Sequence, residues 1–98
     1  MAQKKTVREW EQLNPGGYEV VTASQSDTAH LAVHYIGTKN QNGQYLLPKF
    51  TPDGRKRPFK DRILTRPPEW LNCTVESVVF VPNRNVARLV IRQEDLER

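Results

Sequence analysis

The chain has 98 residues, 37% of them apolar and 27% charged, with a formal net charge of +4. That balance describes one small folded domain with a modest core, and excludes both a disordered chain and a disulfide scaffold, since Cys73 is its one cysteine. No apolar run reaches the ~20 residues of a membrane-spanning helix, and the opening MAQKKTVREW lacks the apolar stretch of a secretory leader, so a cytoplasmic setting with no membrane partner is expected.

Residues 1–5 read as a tail that frays. Thr6 and Glu9 have the spacing of a capping box, and Val7, Trp10 and Leu13 recur at helical spacing until Asn14-Pro15-Gly16-Gly17 stops the run. A helix of about two turns is marginal alone, so its apolar stripe is expected to dock on the body of the domain. Tyr18 to Ala23 is β-branched and aromatic and predicts a first strand.

Residues 28–36 fit two periods. Leu31, Val33 and Tyr35 alternate as in a strand, whereas Ala29, Ala32, Val33 and Ile36, with Asp27 as N-cap and Gly37 as terminator, fit a helix. The hairpin-type turn Asn40-Gln41-Asn42-Gly43 that follows favours the strand, with a partner strand over 44–50.

Pro52, Gly54, Pro58, Pro67 and Pro68 then predict a long loop over about 49–68, closed by a helical turn begun by proline and anchored by Trp70. Cys73 to Val81 and Val86 to Arg92 read as two strands around the turn Pro82-Asn83-Arg84-Asn85, with Ala87, Leu89 and Ile91 on one face and Arg88 and Arg92 on the other. The charged tail 93–98 is expected to fray. One short helix and about five strands predict an α+β fold, mostly antiparallel: a small five-stranded sheet, or a partly open barrel of the oligonucleotide-binding or SH3-like kind.

Charge is distributed unevenly along this framework. Residues 49–66 hold seven of the fifteen basic side chains against two acids, Asp53 and Asp61, while the other 80 residues hold eight basic and nine acidic ones. Such a local positive segment is the footprint of a phosphate-bearing partner, and aromatic rings among the cations add faces on which bases stack. The candidate contacts are Lys49, Phe50, Arg55, Lys56, Arg57, Phe59, Lys60, Arg62 and Arg66, with Arg84, Arg88 and Arg92 as a second patch. The expectation is a non-catalytic module binding DNA or RNA, single strands favoured. The alternative is a protein-interaction module, an adaptor or inhibitor, whose loop docks on an acidic protein surface.

Other chemistry finds little support. On a strand, His30 and His34 stand ~13 Å apart and cannot share a metal ion. Cys73 lies in an apolar run, which raises a thiol pKa instead of activating it. With no glycine-rich phosphate cradle and scattered carboxylates, neither a cofactor nor an enzymatic activity is expected.

Overall fold

A computed structural model describes residues 4–23, 33–83 and 85–96. The first helix, α1 (Val7–Leu13), begins where the sequence places it: the Thr6 hydroxyl accepts from the Glu9 amide and the Glu9 carboxylate accepts from the Thr6 amide, a complete capping box. The Thr6 amide and then the Thr6 hydroxyl, which also lies within hydrogen-bond distance of the Glu9 carboxylate, hold that carboxyl below its usual pKa. Val7 is fully buried and Trp10 half-buried, but Leu13 is 65% exposed, so the docking stripe ends one turn earlier than the spacing predicts. Asn14 closes the helix there, its amide and side chain both donating to the Trp10 carbonyl.

The strands are β1 (Tyr18–Ala23), β2 (Val33–Lys39), β3 (Tyr45–Leu46), β4 (Val75–Val81) and β5 (Val86–Ile91), in the spatial order β3-β2-β1-β5-β4. The strand reading of 28–36 holds from Val33 onward, while residues 28–32 lie outside the described part. The sheet is open, with β3 and β4 as its edges, and it is mixed: β1 runs parallel to β5, and the other pairs are antiparallel. A parallel neighbour needs a crossover. Here residues 47–74 carry the chain from one edge of the sheet to the other, and a hairpin then inserts β5 between β4 and β1. Asn85, at φ 54° in that hairpin's turn, adopts the left-handed conformation asparagine tolerates.

One face of the sheet is covered. Tyr18, Val20, Val75, Leu89 and Ile91 pack there against Val7 of α1 and against Trp70, Leu71 and Cys73, the first two lying on the 3-10 turn Glu69–Asn72. The Trp70 ring meets Tyr45 edge-on at 6.2 Å, and Trp10 meets Tyr18 at 6.0 Å. Glu11 ties α1 to the sheet by accepting from the Tyr18 and Tyr45 hydroxyls, both at 2.7 Å. Burial, reinforced by that carboxylate, pushes the Tyr45 pKa up to about 12 and raises that of Tyr18 as well.

Gly37 does not end a strand, as its place before a turn-rich stretch implies; it lies inside β2 because Trp70 lies against it. A Cβ on Gly37 would stand 2.3 Å from the indole and 2.9 Å from the Leu46 carbonyl oxygen. The register supplies a second effect at this point. Val20 faces Gly37 but Val21 faces Tyr35, so Ile36 is an extra, bulged residue. Cross-strand partners share a face. The bulge therefore leaves Gly37 on the core-facing side with Val20 and puts Tyr35 on the opposite face with Val21.

At the ends, Lys5 and Val7 are bonded through their backbones to Val75 and Cys73, Lys4 pairs with Glu76, and Gln93–Leu96 forms a helical turn, α3, while residues 1–3, 97 and 98 lie outside the described part.

Candidate functional site

The long basic loop is more ordered than its prolines imply. Leu47 and Arg62 are bonded through their backbones, Lys49 accepts from the Arg57 amide, and Thr51 and Arg55 close a turn at Pro52-Asp53-Gly54. Gly54 takes φ +89°, a conformation costly for other residues, at the tip. The partner strand expected over 44–50 is only two residues long, because after Leu46 the chain leaves the sheet and pairs with its own returning arm at Phe50 and Lys56. The returning arm ends in the short helix α2 (Phe59–Arg62). The result is a two-armed basic ribbon projecting from the β3 edge.

Between this ribbon and the sheet face that bears Tyr35 lies a groove of about 910 Å³. The ribbon wall contributes Pro48, Lys49, Phe50, Thr51, Arg57 and Arg62, and the sheet wall contributes Glu19, His34, Tyr35 and Thr38. A smaller hollow of about 460 Å³ shares Lys49, Arg57 and Arg62 and adds Lys56, Pro58 and Phe59, so the two form one basic track. Three aromatic rings stand along it with roughly half their surface open: Tyr35 at 45%, and Phe50 and Phe59 both at 53%. None of the three belongs to the buried core.

The cations fall into two groups. Arg57 Nη1 donates to the carbonyls of Pro48 at 2.8 Å and Phe50 at 3.1 Å, and Arg62 Nε donates to that of Leu47 at 2.8 Å. Arg55 is paired with Asp53 at 3.1 Å. Asp53 is itself held below the usual carboxylate range, first by the Thr51 hydroxyl and also by Arg55 and Arg57. Among the described residues no acid pairs with Lys49, Lys56, Lys60 or Arg66, all of them exposed.

Arg88 lies on the sheet face that forms the groove's wall, opposite Glu19 of β1. Its Nε donates to Glu19 at 2.7 Å, its Nη2 donates to the Tyr35 hydroxyl at 2.9 Å, and its guanidinium carbon sits 5.5 Å from the Tyr35 ring centre. Arg92 is placed elsewhere, among Glu76, Glu94 and Asp95 at 2.7, 3.2 and 3.8 Å. Arg88 thus does not itself line the groove but is bonded to Glu19 and Tyr35, which do, whereas Arg92 is bonded to acids that do not; Arg84 and His30 lie outside the described residues. Among those described, no three His, Cys, Asp or Glu side chains gather to hold a metal ion, and no helix is long and apolar enough to cross a membrane. Burial pushes the Cys73 thiol pKa up.

Tyr35 and Glu19 are groove residues that composition alone does not reveal. A signal for Glu19 exists: it is the single charge in YEVVTA, as Arg88 is in VARLVI, and opposite charges at the centres of two apolar strands mark a cross-strand pair on the face away from the core. Comparison with protein-family models, with curated proteins and with solved structures finds no match for this chain.

Proposed function

We propose that this protein is a non-catalytic nucleic-acid-binding module that takes single strands into the groove between its basic ribbon and the sheet face bearing Tyr35. The observation that carries this reading is the juxtaposition of exposed rings and cations in one track: Tyr35, Phe50 and Phe59 beside Lys49, Lys56, Arg57 and Arg62. Phosphates are attracted by the cations, and unstacked bases find flat apolar faces at the spacing of a groove wall. A duplex keeps its bases stacked internally and cannot use those rings. An acidic protein surface would satisfy the cations alone.

Titration of a fluorescent single-stranded oligonucleotide tests the reading. Phe50→Ala and Phe59→Ala are each expected to weaken binding by ~1 to 3 kcal/mol. Because neither ring is in the core, both variants should melt close to the wild-type temperature. Wild-type affinity in both variants would contradict base stacking, and binding confined to an acidic protein would replace the nucleic acid as partner.

A further inference from the structure

The arginines in and beside the groove are placed for a task different from that of its lysines. Arg57 and Arg88 are half-buried, and each uses its guanidinium to fix the support of an aromatic ring. Arg57 bridges the carbonyls of Pro48 and Phe50, which clamps the backbone that carries the Phe50 ring. Arg88 is anchored by the buried Glu19 carboxylate and holds the Tyr35 hydroxyl with its other end. Arg88 makes its two bonds from different nitrogens of one planar fork, Nε and Nη2, a fixed relation that a lysine ammonium cannot reproduce, whereas both Arg57 bonds leave from Nη1. The exposed Lys49, Lys56 and Lys60 make no ion pair among the described residues and are the ones available to phosphate.

Resting on the nucleic-acid reading above, we infer that Arg57 and Arg88 are positioning residues that aim Phe50 and Tyr35 at the bases, while the lysines carry the phosphate contacts and hence the salt dependence. Binding strength is thereby divided between a preorganised pair of rings, insensitive to salt, and a mobile set of cations, sensitive to it. Charge at position 88 is then insufficient; geometry is required.

The test compares charge-conserving variants in a titration of single-stranded oligonucleotide over a range of salt concentrations. Arg88→Lys is expected to weaken binding about tenfold at every salt concentration, leaving the slope of log affinity against log salt unchanged. Lys56→Gln should instead flatten that slope by about 0.7. Tyr35→Phe keeps the ring and the Glu19–Arg88 pair but removes the hydroxyl that Arg88 holds, so it covers the case in which Arg88→Lys fails to fold. It should lose affinity to the same extent as Arg88→Lys, and the two changes together should cost less than their sum. In the free protein, NMR signals of the Tyr35 ring should shift in Arg88→Lys.

Wild-type affinity in Arg88→Lys and Tyr35→Phe would overturn the inference alone. A wild-type protein that binds no oligonucleotide would overturn it together with the nucleic-acid reading. Additive losses in the double variant would show that Arg88 does not act through Tyr35.

Discussion

Glu11 joins a helix to two strands through two tyrosine hydroxyls, and that arrangement makes the fold sensitive to alkali. An unperturbed tyrosine titrates near pH ~10, whereas burial and the Glu11 carboxylate push Tyr45 up to about 12 and raise Tyr18. The folded state thus holds these protons more tightly than the unfolded chain does. Their contribution to stability is complete below pH ~10 and is lost as the pH climbs through the folded values. Urea midpoints measured from pH 8 to 11.5 should fall above about pH 10, and Tyr45→Phe should reduce the fall; a flat profile would contradict the bonding described. Gly37 is a second point of control. Gly37→Ala places a methyl group into Trp70 and the Leu46 carbonyl, an overpacking that costs about 1 to 3 kcal/mol or more. A melting temperature equal to wild type would show that the indole does not lie there.

At the scale of elements, the two tryptophans are unequal anchors. Trp70 is 4% exposed and lies on the turn that seals the covered face, whereas Trp10 sits half-buried at the core's margin. Trp70→Ala should therefore cost roughly 3 to 5 kcal/mol and Trp10→Ala distinctly less. Equal losses by calorimetry would contradict that ranking. Elements fixed by neighbours in sequence were legible before the structure: the Thr6–Glu9 capping box sets α1, the β-branched runs set β1, β4 and β5, and Pro67-Pro68 opens the turn bearing Trp70. What depends on distant partners was not. The parallel β1–β5 pair follows from a crossover that no local pattern encodes, and the extra residue Ile36 turns Tyr35 from an expected strand-face hydrophobe into a groove residue. The ribbon was read as an irregular loop because its order comes from backbone bonds between its arms, such as Arg57 to Lys49, which prolines elsewhere in the segment do not block.

For the whole molecule, the decisive property is where its charge lies relative to its sheet. The excess of cations in residues 49–66 is carried on a ribbon that bounds one wall of a groove, and the opposite wall is the sheet face bearing Tyr35. The positive track was legible from the sequence; the wall facing it was not, because Glu19, Tyr35, Thr38 and Arg88 are brought together by strand register. The exposed apolar side chains Val78, Val79 and Phe80 lie apart from this track, on edge strand β4. If the track receives a nucleic-acid backbone, binding must release counterions. The most direct measurement is therefore the affinity of the wild-type protein for single-stranded oligonucleotides of several unrelated sequences across salt concentration. With Lys49, Lys56 and Lys60 engaged, log affinity should fall linearly with log salt at a slope of about −2, at ~0.7 per contact, and alike for every sequence. A slope near zero, or no binding at low salt, would contradict the proposed function.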